Sequence, residues 1–189
     1  YCIRLNNKRR LGCSILSFVK DYDHSATPDL DDTYQFLQFF KIIQKFIKCG
    51  LITSLHDVSD GGLITSLCEL SFTNKVGLNI NFSKYKNNNL DELFSEELGI
   101  VVQLSNIKKE FFTELEAIGC VIYECAQISK SKDIKIFDKD KRLLLDKKIY
   151  DLEKIWSENS LEVRKLRDNP SSAIAEHNAL DFPEIYSLV

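Results

Sequence analysis

The feature that most constrains the fold is a junction between Leu51 and Leu70, "LITSLHDVSDGGLITSLCEL". A short apolar run ends in a histidine and an aspartate, and two adjacent glycines precede a second apolar pattern. The chain has only seven glycines, so a pair here indicates an unusual backbone shape. The first run predicts a β-strand, and the second, with leucines at helical spacing, predicts an α-helix. Strand, glycine turn and helix in this order are typical of the ligand-binding edge of an open α/β sheet.

Strand and helix patterns alternate along the rest of the chain. We predict helices near residues 33–49, 63–73, 90–97, 108–118 and 152–166. We predict strands at residues 77–82, 99–104 and 120–128, and an edge hairpin from residues 133–138 and 142–146. This alternation predicts an α/β (α+β) domain with one mixed β-sheet and helices packed on it.

The last predicted helix lies beyond the last predicted strand and ends at an Asn-Pro pair, which breaks helices. We therefore expect one domain over residues 1–150, and a helix with a connector over residues 151–189. The chain starts with Tyr1 and contains no methionine, so we expect it to be part of a longer translation product.

Composition excludes several classes of function. The net charge of -3 and the pI near 5.7 give no electrostatic footprint for nucleic acid. No apolar run approaches the roughly 20 residues that cross a bilayer, and no signal peptide is visible. The six cysteines form no CxxC pair, so we expect small buried side chains in a reducing compartment, hence the cytoplasm.

The polar residues of the junction suit a phosphate or nucleotide. Asp57, at the strand end, could hold Mg²⁺, which takes carboxylate and phosphate oxygens. Ser59 adds a hydroxyl, and Gly61 and Gly62 would let a phosphate approach the backbone at a helix N-terminus. The alternative is purely structural: Ser59 or Asp60 caps the helix and the glycines form a tight turn.

Two neighbouring features are weaker candidates. His56 precedes the metal candidate and could orient it or contact phosphate, although a structural histidine is the commoner interpretation. Glu96 and Glu97 form a second acidic pair beside a strand, which could bind metal or transfer protons, or simply form solvent-facing caps.

Several separate motifs resemble one family. The segments that resemble it are, in chain order, "RLGCSILS", "HDVSDGGLITSLCELSF", "LFSEELGIVVQL" and the closing "VRKLRDNPSSAIAEH". The family is that of the large, single-chain phosphoribosylformylglycinamidine synthases. The order and the spacing of the segments are compatible with that family. The resemblance covers nearly the whole chain and points to the C-terminal AIR-synthase-like domain of that enzyme. One departure is Cys13, which stands where the family's "LGGS" segment has its second glycine.

The resemblance implies an ATP-dependent carbon–nitrogen ligase with glutamine as amide donor. Such an enzyme converts formylglycinamide ribonucleotide to its amidine in de novo purine biosynthesis. By motif, Asp57 would be a Mg²⁺ ligand, and Ser59, with Gly61 and Gly62, would contact ATP or ADP. The partners would be an N-type AIR-synthase-like domain and a glutaminase domain of the same enzyme, with no catalytic residue of either in this chain.

Two alternatives stay open from the sequence. The domain could be a non-catalytic scaffold or a degenerate fragment of that enzyme. It could also belong to another ATP-binding enzyme of the AIR-synthase superfamily, such as a selenophosphate or thiamine-phosphate kinase type.

Overall fold

The computed structural model describes residues 1–21, 26–81 and 89–181, which form two four-stranded sheets with helices packed around them. The strands are β1 (Cys2–Arg4), β2 (Ile52–Asp57), β3 (Gly77–Asn81), β4 (Gly99–Leu104), β5 (Val121–Tyr123), β6 (Ala126–Ser129), β7 (Asp133–Phe137) and β8 (Leu143–Lys148). The helices are α1 (Ile15–Lys20), α2 (Thr33–Lys48), α3 (Gly62–Asn74), α4 (Asn89–Phe94), α5 (Lys109–Ala117), α6 (Ile149–Arg167) and α7 (Pro170–Asn178), followed by a 3₁₀ turn at Ala179–Asp181.

The two sheets differ in strand direction. The first has the order β2-β4-β1-β5 and is antiparallel throughout. The second has the order β6-β3-β7-β8 and is mixed, because β3 pairs parallel to β7 and antiparallel to β6. The predicted hairpin is confirmed as β7 and β8, with β8 at the sheet edge.

The α+β class is confirmed, but the single mixed sheet is wrong. The strand predicted at residues 120–128 divides into β5 and β6, which belong to different sheets. Its apolar pattern continues through the break, since Cys125 between the two strands is itself buried. Periodicity therefore gave no sign that the chain changes sheets there.

The core lies on both faces of the first sheet. Cys2 and Val101 point into a cluster shared with α3 and the second sheet, whereas Ile3 and Ile100 point into a cluster shared with α2 and α5. Successive strand residues face opposite sides, so one short strand contributes to both clusters. Layers of helix on each side hold the first sheet, and with it the end of β2, in a fixed position.

Helix ends follow the local sequence. Asp32 caps α2 by accepting the N–H groups of Tyr34 and Gln35 at 2.8 and 3.0 Å. The break predicted at Asn169–Pro170 is present, but a new helix starts there, since Asn169 caps α7 and proline fits a first helical turn.

Cys13 occupies a glycine-like conformation. Its φ is +59° and its side chain is exposed, directly before Ser14, which caps α1. The left-handed region costs a non-glycine residue about 1–2 kcal/mol, partly offset by the extra flexibility of glycine in the unfolded chain. We expect Cys13→Gly to raise the free energy of unfolding by roughly 0.5–1 kcal/mol, measured by urea denaturation.

Cys49 supplies a matched control for that substitution. It is also exposed but has a φ of −87°. Cys49→Gly should therefore lower the stability, because glycine gains nothing at a negative φ. Equal effects of the two substitutions would show that Cys13 carries no backbone strain.

Candidate functional site

The end of β2 presents Asp57 to solvent. His56 and Asp57 still pair with β4, and the N–H of Val58 donates to the Gly99 carbonyl at 2.9 Å. Side chains alternate, so Val58 is buried while the Asp57 side chain is 74% exposed. The carboxylate predicted as a metal ligand is thus held on a paired strand end and is open to solvent.

The glycine pair is required by both conformation and space. Gly61 has φ +83° and Gly62 has φ +72°. A Cβ on Gly61 would lie 2.2 Å from Thr65 Oγ1, and one on Gly62 would lie 2.7 Å from the Leu93 carbonyl oxygen and 2.7 Å from the Phe94 carbonyl carbon. Gly62 therefore lets the first turn of α3 pack directly against the backbone of α4.

The amides of both glycines already have acceptors within the protein. Gly61 N–H donates to Glu96 Oε1, and Gly62 N–H donates to the Ser59 carbonyl, each at 2.9 Å. Gly61 itself is the N-cap of α3 and has no side-chain capping bond. The interpretation of Ser59 or Asp60 as the helix cap is therefore wrong, and both side chains remain exposed.

Glu96 joins the junction to the start of α1. The same oxygen, Oε1, also accepts the N–H of Ile15 at 2.9 Å. Two segments far apart in sequence, the "RLGCSILS" stretch and the glycine turn, are therefore held by one carboxylate. The short helix predicted over residues 90–97 ends at Phe94, which frees Glu96 to reach both N–H groups.

Glu97 is not a solvent-facing cap. Its side chain is 1% exposed and accepts Arg10 Nη2 at 2.8 Å and the Arg10 backbone N–H at 3.1 Å. Burial raises the pKa of the Glu97 carboxyl, but Arg10 outweighs it, so that the pKa lies below its usual value. The pair Glu96 and Glu97 therefore has two structural tasks and does not form a proton-transferring pair.

The His56 ring contacts the backbone of Asp57 and a glutamate of helix α3. Its Nδ1 lies 2.7 Å from the Asp57 carbonyl oxygen, and its Nε2 lies 2.9 Å from Glu69 Oε2. The other Glu69 oxygen, Oε1, accepts the indole N–H of Trp156 at 2.8 Å. The predicted orienting role of His56 stays a prediction; its ring is fixed beside Asp57, whose Oδ1 is 3.5 Å from Nδ1.

A surface groove runs from the junction to α6. Its volume is about 690 Å³. It is lined by His56, Ser59, Glu69, Phe72, Thr73, Lys75, Glu153 and Trp156. A second cavity, of about 320 Å³, lies between the two sheets, and its lining does not include His56, Asp57 or Ser59.

Ser66 and Glu69 also contact the end of β2, and neither was predicted from the sequence. The Ser66 hydroxyl donates to the Asp57 carbonyl at 2.9 Å, so both residues contact the end of β2 from α3. They lie three residues apart on the helix that follows the glycines and share a face of it. That spacing was a usable signal, whereas the contact with Trp156 spans 87 residues and had none.

One exposed carboxylate, that of Asp57, is available at the end of β2. Within residues 1–21, 26–81 and 89–181, no three His, Cys, Asp or Glu side chains converge as metal ligands. A single exposed carboxylate nevertheless fits Mg²⁺, which binds through one or two carboxylates together with phosphate oxygens and water. Asp57 is thus suited to share a Mg²⁺ ion with a bound nucleotide.

The cysteines are all free and mostly inert. Cys2, Cys120 and Cys125 are buried as predicted, whereas Cys13 and Cys49 are exposed. Burial raises the pKa of Cys125 to about 12 and that of Cys120 to about 11, so these thiols are not nucleophiles at neutral pH.

Among the described residues, no helix combines the length and the apolar character needed to span a bilayer.

Comparison with known proteins identifies the domain. Residues 4–139 match the family model described as "AIR synthase related protein, C-terminal domain". Among solved structures, phosphoribosylformylglycinamidine synthase II from Thermotoga maritima has a TM-score of 0.61 at 12% identity, over 78% of this chain and 24% of that one. T. maritima PurL complexed with ATP has a TM-score of 0.53 at 13% identity, over 59% and 20%.

A different protein has a comparable fold. A chain of the HypE–HypF complex has a TM-score of 0.53 at 17% identity, over 78% of this chain and 52% of that one. The present chain therefore spans about a quarter or less of the PurL chains and about half of this one. The fold is common to these proteins, and the match over residues 4–139 shows that the chain belongs to the family of AIR synthase related proteins, as their C-terminal domain.

Proposed function

We propose that this chain is the C-terminal AIR-synthase-like domain of a phosphoribosylformylglycinamidine synthase and contributes one side of a Mg-nucleotide site. The enzyme would use ATP and glutamine to convert formylglycinamide ribonucleotide to formylglycinamidine ribonucleotide. The sequence motifs support this reaction, and so does the fold shared with PurL.

The observation that carries the proposal is the exposed Asp57 at the end of β2. Its side chain is 74% exposed, and the turn that follows leads directly into the N-terminus of α3. A helix N-terminus carries partial positive charge, which favours an anion nearby. An open carboxylate beside it would repel phosphate, and this repulsion is relieved when a divalent cation lies between them.

Each residue of the turn has a separate task in this proposal. Asp57 would hold Mg²⁺, and the exposed Ser59 hydroxyl would contact the nucleotide. Gly61 and Gly62 would act through shape, since their N–H groups are engaged by Glu96 and by Ser59. Bound Mg²⁺ would neutralise phosphate charge and orient the phosphate groups.

The remaining ligands would come from partner domains of the same enzyme, an N-type domain and a glutaminase domain. The outer faces of α1 and α2 expose large apolar side chains that suit such a neighbour. Phe18 is 86% exposed, Val19 68% and Tyr34 70%. Residues 151–189 would form the connector toward the glutaminase domain.

The test is nucleotide retention in the assembled enzyme that contains this domain. We expect Asp57→Ala to weaken Mg-ADP binding by about tenfold or more, because the loss of a ligand to the bridging cation removes a charge-assisted contact. Ser59→Ala should weaken binding less, by the loss of one neutral hydrogen bond. Equilibrium dialysis with labelled ADP, at several Mg²⁺ concentrations, measures both.

Asp60→Ala is the matched control. Asp60 lies in the same turn and is exposed, and the proposed site gives it no contact with Mg²⁺ or the nucleotide. Its substitution should leave ADP binding within about twofold of wild type, in keeping with small effects of surface substitutions. Retention of Mg-ADP by Asp57→Ala at wild-type affinity would contradict the proposal and favour a scaffold role.

A further inference from the structure

Glu69 lies at a crossing of three elements. From α3 it contacts His56 at the end of β2 and Trp156 on α6 with its two oxygens, at 2.9 and 2.8 Å. Each oxygen is therefore committed to a different neighbour. The Glu69 carboxylate therefore connects β2, the strand that carries Asp57, to helix α6.

The contact between Glu69 and His56 is partly shielded from water, whereas Trp156 is 55% exposed. Its side chain is 23% exposed and that of His56 is 27% exposed. Hydrogen bonds to a carboxylate are stronger than neutral ones, and partial burial reduces their screening. The contact between Glu69 and His56 can therefore fix the positions of these two side chains.

Trp156 is held on the other side by packing. Its ring lies 5.8 Å from that of Phe72, with an interplanar angle of 54°. Lys75 at the end of α3 also pairs with Glu153 on α6. The indole of Trp156 thus contacts α3 through the Phe72 ring and through the hydrogen bond from its N–H to Glu69. Any displacement of Glu69 therefore changes the surroundings of the indole.

We propose that Glu69 is a positioning residue that couples the end of β2, and with it Asp57, to α6. A displacement of the strand end moves His56, His56 moves Glu69, and Glu69 changes the environment of Trp156. The consequence for nucleotide binding rests on the proposed function: Glu69 would hold the Asp57 backbone in place for the Mg-nucleotide.

The first test needs no nucleotide. Trp156 is the sole tryptophan of this 189-residue chain, so its fluorescence and its quenching by acrylamide report on this position alone. We expect His56→Ala to change the quenching constant in the wild-type background and to have no further effect in Glu69→Ala. A change of equal size in both backgrounds, or no change in either, would overturn the coupling.

A double-mutant cycle in the unfolding equilibrium measures the coupling between His56 and Trp156 independently of fluorescence quenching. His56→Ala and Trp156→Phe should couple by about twofold or more in the unfolding equilibrium constant, as for residues in one network. The coupling should vanish when both are combined with Glu69→Ala. Unfolding is followed by circular dichroism, and Glu116→Ala, on the exposed face of α5, is the control for loss of a helix glutamate.

The second test separates this inference from the proposed function. In the assembled enzyme, Glu69→Ala should weaken Mg-ADP binding by about fivefold or more, and Glu69→Gln, which keeps an acceptor for Trp156, should restore part of it. Wild-type affinity in Glu69→Ala would overturn the positioning role and leave the proposed site intact. Absence of ADP binding to the wild type would contradict the proposed site, whereas the quenching experiment would still decide the coupling.

Discussion

Gly62→Ala is expected to lower the free energy of unfolding by about 3 kcal/mol or more. The left-handed backbone contributes about 1–2 kcal/mol of that loss, and overpacking contributes about 1–3 kcal/mol. The overpacking arises because the new Cβ would lie 2.7 Å from backbone atoms of both Leu93 and Phe94, which belong to α4 and cannot rotate away. Urea denaturation followed by circular dichroism measures the loss.

Gly50 isolates the backbone contribution. Its φ of +71° nearly equals the +72° of Gly62, but a Cβ there would meet no atom within 4 Å. Gly50→Ala should therefore cost only about 1–2 kcal/mol. Similar losses at the two glycines would mean that α3 and α4 do not approach as closely as the structure shows.

Glu92→Ala is expected to lower the free energy of unfolding by about 3–5 kcal/mol, since it removes the carboxylate counter-charge of the buried Arg4 and of Arg9. The Glu92 carboxylate accepts hydrogen bonds from Arg9 and from the Tyr123 hydroxyl. It also lies 3.8 Å from Arg4, whose side chain is 0% exposed. Burial opposes the charge on Arg4, but Cys2, Tyr123 and Glu92 raise its pKa overall, so the guanidinium stays charged.

A surface glutamate provides the comparison for Glu92. Glu110 pairs with Lys45 at 2.6 Å, but the two side chains are 60% and 49% exposed. Exposed pairs contribute little, so Glu110→Ala should have a much smaller effect on urea unfolding. If the two substitutions cost the same, the Arg4–Glu92 cluster would not be a buried ionic centre.

Local patterns predicted the elements around the site well. The strand predicted at residues 99–104 coincides with β4, and the helix predicted after the glycine pair coincides with α3 to within one residue at each end. In both cases a continuous apolar pattern is preceded or begun by glycine, so that the sequence marks both the type of the element and its start. Asp57 was placed correctly at a strand end for the same reason.

Contacts between distant segments were not predictable in this way. β1 has only three residues, too few to show a period, and yet it lies between β4 and β5. Arg4 looks like a surface residue in the sequence and is fully buried, because Glu92 and Tyr123 come from segments far along the chain. Periodicity reports which face of an element is apolar, whereas the identity of the neighbour is set by tertiary packing.

The bond from Gly61 to Glu96 has a consequence for any anion that approaches the turn. Glu96 Oε1 already accepts the N–H groups of Gly61 and Ile15. A phosphate that used either donor would have to displace an acceptor tethered in the same molecule, which is present at a high effective concentration. Binding at those two donors is therefore an exchange of one anion for another, whereas a cation on Asp57 or the hydroxyl of Ser59 offers a phosphate a contact without that competition.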